Sequence, residues 1–174
     1  MQNRTLRQLT AAGVIAAAYA ALSLVLAPIT FGPVQCRISE ALTLLPVISP
    51  AAIWGVTLGC AVTNGVGAAT GTNFLGLVDL LVGTAATLLA AVATRLLGKI
   101  RFGGLPWLSA LPPILINAVA IGGEWCYAMT GSINGAFWVF AGQIALGQLP
   151  PCLLGVWLVG LLERRSLQTI IEGK

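Results

Sequence analysis

Between Leu9 and Leu26 no charged residue occurs, and comparable apolar runs recur to the end of the chain. A bilayer's hydrocarbon core is roughly 30 Å thick and takes about 20 apolar residues as a helix, with every backbone group bonded inside the segment. A chain made of such runs must fold as a helical membrane bundle. Charge content agrees: 8% of the residues are charged, against about 25% in soluble domains. The 174 residues leave room for about six spans with short loops. The expected fold is therefore all-α, one integral membrane domain over 1–174 with six transmembrane helices. The approximate segments are 9–27, 38–48, 51–66, 74–97, 105–127 and 137–162. The first run is too long for the apolar region of a cleaved signal peptide and no convincing cleavage site follows it.

Whether 38–48 and 51–66 are two short segments or one kinked helix is decided by the basic residues. As two segments, they place Arg4, Arg7, Arg95, Lys99, Arg101, Arg164, Arg165 and Lys174 on one side, which is all but Arg37 of the nine basic residues. The positive-inside rule then makes that side, and both termini, cytoplasmic.

Polar residues concentrate at the opposite level. Arg37, Glu40, Asp79 and Glu124 all fall near outer ends of segments, together with Asn64, Asn73, Trp125, Tyr127 and Asn134. A charge beside lipid is costly unless it pairs internally or handles something polar. Neutralisation of buried charge is one reading, with Arg37 paired either to Glu40, three residues on and its neighbour on a helix, or to Asp79. The other is a pocket open to the outside, in which carboxylates and amides hold a polar ligand and Trp125 stacks on it. The glycine-rich stretch Asn64–Asn73 is expected outside the membrane, as a turn or as pocket-lining backbone. It lacks the pattern of a phosphate-binding loop. Small residues recur four apart at Ala12, Ala16 and Ala20, with Ala17 and Ala21 alongside, either for internal packing or for docking a partner helix.

Catalysis finds no support. Histidine is absent, the four cysteines are scattered singly, and no nucleophile has an evident base. No cofactor or metal is called for, nor is there an ATP-binding motif. A transporter of this composition needs ions or a separate subunit to drive it.

The run Phe31-Gly32-Pro33-Val34-Gln35, then Arg37-Ile38-Ser39-Glu40-Ala41-Leu42, then Leu45-Pro46 closely resembles the motif of the QueT family. Those proteins are substrate-binding (S) components of energy-coupling factor (ECF) transporters associated with queuosine precursors. The likeness extends to size, segment pattern, the alanine stripe, and Asp79 within Gly76–Gly83, with Cys36 a small departure. It implies a six-helix S component in a bacterial cell membrane that binds its ligand from outside. Its partners would be a transmembrane coupling subunit, docked through Ala12, Ala16 and Ala20, and two cytoplasmic ATPases. The implied ligand is a 7-deazaguanine base, in the aminomethyl or cyano form or as queuine. The expected binding residues are Arg37, Glu40, Asn73, Asp79, Glu124 and Trp125, with Arg37 orienting Glu40. An S component for another vitamin, or a non-transporting helper protein, are the competing readings.

Overall fold

The computed structural model describes residues 4–32 and 34–164. It is helical throughout, in the order α1 Arg4–Val25, α2 Ala27–Thr30, the 3-10 helix η1 Ile38–Val47, α3 Ala51–Thr70, α4 Leu77–Leu97, the short 3-10 turn η2 Trp107–Ala110, α5 Leu111–Thr130 and α6 Phe137–Arg164. Five of these are long and apolar enough to cross a membrane: α1, α3, α4, η2 with α5, and α6. Leu81, Leu89, Leu115, Leu146 and Trp157 stand exposed on their outer faces, as lipid-facing side chains must.

The remaining apolar segment differs from an ordinary span. η1 has ten residues, and at about 2.0 Å per residue a 3-10 helix of that length reaches roughly 20 Å. It is enclosed by α1, α3, α4 and α6, and Ser39, Glu40, Thr43, Leu44, Leu45 and Pro46 are buried in it. Pro46 has no backbone N–H to give to a helix. Thr43 returns its hydroxyl to the Glu40 carbonyl at 2.6 Å, and the Ser23 and Ser39 hydroxyls meet at 2.5 Å. A 3-10 winding covers more distance per residue than an α-helix, which suits a short connector.

The register of its neighbours shows what it connects. A Cβ on Gly55 would touch Ile15 and the Ala12 carbonyl, and one on Gly59 would touch Tyr19 and the Ala16 carbonyl. Helices α1 and α3 are thus parallel and packed backbone to backbone, so the chain returns along η1 between them. The contact is the small-residue packing that membrane helices use in place of a hydrophobic drive. It also occupies most of the expected docking stripe. Ala16 and Ala20 are buried at 7% and 8% exposure, and Ala12 is half-buried beside Gly55. The glycine and alanines of α1 that stay open are Gly13, Ala17, Ala18 and Ala21.

Two further boundaries depart from the sequence reading. α3 does not stop at 66 but runs to Thr70, where Gly71 adopts a left-handed conformation at φ 72° and closes the helix. Most of the Asn64–Asn73 stretch is therefore helix, not an external turn. α5 begins at Leu111 with Pro112 and Pro113 in its first turn, where no N–H is missed.

One end of the bundle collects the cations. Arg95 reaches back to the Pro46 carbonyl at 2.8 Å, and Arg101 holds Glu163 through two bonds of 2.5 and 2.8 Å. That paired carboxylate holds the Arg101 guanidinium above its ordinary pKa. Arg165 and Lys174, counted above toward the same side, lie outside the described residues. The loops 71–76 and 131–136 at the other end contain no Lys or Arg.

Candidate functional site

Arg37 precedes η1 in extended backbone at φ −95° and ψ 101°, which turns its side chain into the bundle. It is 5% exposed. One terminal nitrogen donates to Asn64 Oδ1 at 3.2 Å and lies 4.0 Å from Asp79 Oδ2. The other approaches Cys60 Sγ at 3.7 Å, and the guanidinium carbon sits 5.6 Å from the centre of the Phe31 ring. Asn73 donates to the same Asp79 oxygen at 2.8 Å, and Asn64 donates to the Asp79 backbone carbonyl at 2.9 Å. The motif, α3 and the start of α4 are thereby tied into one buried polar knot. Gly83 stands against it: a Cβ there would run into Asp79 Oδ1 and Asn64 Nδ2.

Glu40 is held by a different partner from the one expected. Its Oε1 accepts the Tyr19 hydroxyl at 2.6 Å, with Tyr19 at 0% and Glu40 at 1% exposure. No ion pair joins Arg37 to Glu40 among the described residues; the arginine's carboxylate partner is Asp79. The extended backbone at Arg37 is the reason, because the i, i+3 neighbourhood requires both residues inside one helix. Tyr19 therefore orients Glu40, an assignment open to no sequence signal beyond a tyrosine among alanines.

These groups surround a cavity of about 10 Å³, room for one water, lined by Gln35, Arg37, Glu40, Gly83, Thr87, Asn117, Ile121 and Gln148. Every long helix except α1 and α3 contributes to the wall, and those two support it through Tyr19 and Asn64. Glu40 Oε2 and Arg37 Nε, on residues that line it, and Asp79 Oδ1, beside Gly83, are buried without a hydrogen-bond partner. Unsatisfied buried polar atoms are rare and costly in native proteins, and three in one knot mark a place built for something else to complete. Gln35 adds to this, as it is buried at 3% exposure and holds φ 45°. A non-glycine residue in that region carries local strain.

Asn117 and Gln148, visible in the sequence as mid-span amides, bring the cavity deeper than the outer rim to which the charged residues pointed. Glu124 and Trp125 lie apart from it. Trp125 is stacked between Phe74, with ring centres 5.5 Å apart, and Phe140, at 6.4 Å. It packs with Ile121, Ile144 and Leu75 into a small apolar cluster. Ile121 of this cluster also lines the cavity. Glu124 lines a separate groove with Phe74 and Tyr127.

A membrane bundle with a polar cavity at its centre has the anatomy of a carrier, and the comparison with protein families decides which. The model of the QueT transporter family matches residues 9–164. The chain belongs to the QueT transporter family. The match takes in Arg37, Glu40, Asp79 and Gln148 alike, so the whole cavity lies within what this multi-pass transporter shares with its family model. No curated protein and no solved structure matches the chain.

Proposed function

We propose that this QueT member is the substrate-binding S component of an ECF-type importer that takes up a queuosine precursor, a 7-deazaguanine base, from outside a bacterial cell. The observation that carries the reading is the carboxylate of Glu40, which keeps Oε2 without a partner on the wall of a cavity otherwise rich in amides. The guanine-like edge presents a ring N–H and an amino N–H side by side, next to a carbonyl. A carboxylate takes such paired donors together, while Gln148, Asn117 or Gln35 donates to the carbonyl. Arg37 stays with Asp79 and Asn73 and keeps the second carboxylate neutralised. A bicyclic base needs far more than a water-sized space, so Ile121, Leu75 and Trp125 move outward when it enters.

Six crossings are part of the proposal, with η1 as the second and both termini cytoplasmic. The parallel register of α1 and α3 and the cationic end of the bundle support that topology. Energy would come from two ATPases acting through a membrane coupling subunit. The docking surface favoured for that subunit is the bare face of α1 at Gly13, Ala17 and Ala21, since Ala16 and Ala20 are already packed against α3.

Calorimetric and thermal-shift titration of the purified protein tests the substrate. The panel holds the aminomethyl and cyano deazaguanines, queuine, guanine and several vitamins. A selective rise in melting temperature with one deazaguanine, from binding to the folded state alone, and its loss in Glu40→Gln, are expected. A folded protein that answers only to an unrelated vitamin would replace the substrate assignment.

A further inference from the structure

Glu124 has no part in the central knot. It stands seven residues beyond Asn117 on α5, two turns toward the outer end and on nearly the same helix face, about 10 Å along the axis. Both of its carboxyl oxygens are withdrawn from solvent and neither has a hydrogen-bond donor. The groove it lines encloses about 370 Å³ and is otherwise formed by Phe74, Leu75, Val78, Tyr127 and Ala128. That volume falls in the range of small-molecule sites, and Phe74 and Tyr127 are each 63% exposed at its rim.

The surroundings provide nothing to neutralise this carboxylate. Arg37 is already engaged with Asn64 and Asp79, and the two outer loops carry no cation. A carboxylate left alone among apolar side chains is costly, and a charged N–H donor recovers that cost. Aromatic faces next to it add cation–π attraction for the same kind of ligand. Asp79, the other carboxylate that suits a cation, is consumed by Arg37 and Asn73. We propose that the Glu124 groove is a second binding site, separate from the central cavity, that captures a primary ammonium group borne on a small aromatic molecule.

Leu75 of the groove and Ile121 of the cavity wall pack with Trp125 in one apolar cluster. If the transported base is a deazaguanine, which rests on the reading above, the aminomethyl form is held here by its ammonium before it enters, and the neutral cyano form is not. Glu124 then speeds entry of the cationic form without belonging to the final site.

Saturation-transfer NMR on the full chain in detergent, with benzylammonium and benzyl alcohol as probes, tests the groove without reference to the transported ligand. Benzylammonium should bind saturably, at least tenfold more tightly than the alcohol, and Glu124→Gln should remove that preference. Tyr127→Leu, at an exposed position that leaves the fold intact, should weaken the amine severalfold. Equal binding of amine and alcohol, or an undiminished preference in Glu124→Gln, overturns the proposal. Stopped-flow association then separates the two readings. Glu124→Gln should slow the aminomethyl base about tenfold, leave the cyano base unchanged, and leave the affinity of either within about twofold. Should neither base bind while benzylammonium still requires Glu124, the substrate assignment fails and the groove stands.

Discussion

The bond from Tyr19 to Glu40 spans α1 and η1 and bears directly on the proposed ligand site. Replacing Tyr19 with Phe deletes one oxygen and leaves the ring in place, so packing against Gly59 is preserved. The bond is 2.6 Å long and both residues are essentially inaccessible, so water does not substitute for the lost donor. Hydrogen bonds to charged groups contribute about 1.5–3 kcal/mol, and orphaning a buried charged acceptor costs at least as much. Glu40 Oε2 already lacks a partner, so the substitution leaves the whole carboxyl unsatisfied. We expect the upper half of that range, about 2–3 kcal/mol, or roughly a 30- to 150-fold shift in the folded-to-unfolded ratio. The assay is reversible unfolding in mixed micelles of Tyr19→Phe, Glu40→Gln and the double variant. Because the residues touch, the cycle should return a coupling energy of about 1.5 kcal/mol or more. Additive effects within about 0.5 kcal/mol would refute the claim that Tyr19 holds Glu40.

Other substitutions probe the rest of the site. Arg37→Gln removes the cation beside buried Asp79 and should cost about 3–5 kcal/mol, with part regained in Arg37→Gln/Asp79→Asn; equal unfolding midpoints for the two would show that the ion pair is not what matters. Gly83→Ala drives a methyl into Asp79 and Asn64 and should destabilise by about 1–3 kcal/mol, measured in the same unfolding assay. Ala17→Leu should leave folding and ligand binding unchanged yet prevent co-purification of the proposed coupling subunit, whereas intact co-purification would remove this face from the docking surface.

The sequence made the class of fold readable because lipid leaves so few choices: long apolar runs with few charges fold as helices. The motif residues Arg37 and Glu40, with Asp79, also stood out, since charges in an apolar chain are conspicuous. Their pairing stayed open between Arg37 with Glu40 and Arg37 with Asp79, and the structure takes the second. Which carboxylate Arg37 meets depends on whether its backbone is helical or extended, and that is fixed by α3 and α4, far along the chain. Tyr19 and Gln35 carry no charge and did not stand out, though one orients Glu40 and the other lines the cavity in a strained conformation. The alanine stripe left internal packing and docking both open for a related reason. Spacing of four identifies a face on which small residues lie, but α1 has two such faces, and only the glycines of α3 reveal which is already covered.

The shortness of η1 bears on how the protein is made. A ten-residue segment that carries Glu40 and is too short for the hydrocarbon core is a poor candidate for entering a bilayer by itself. Glu40 and Ser39 find their side-chain partners on α1, and the Pro46 carbonyl finds Arg95 on α4, so the segment settles into the bundle once those neighbours are inserted. The cavity wall that Glu40 supplies is therefore completed late. Chains arrested during synthesis before Phe137 would hold α1, α3 and α4 in the membrane while the cavity beside Glu40 still lacked Gln148 of α6, leaving the proposed site unfinished until the final helix is in place.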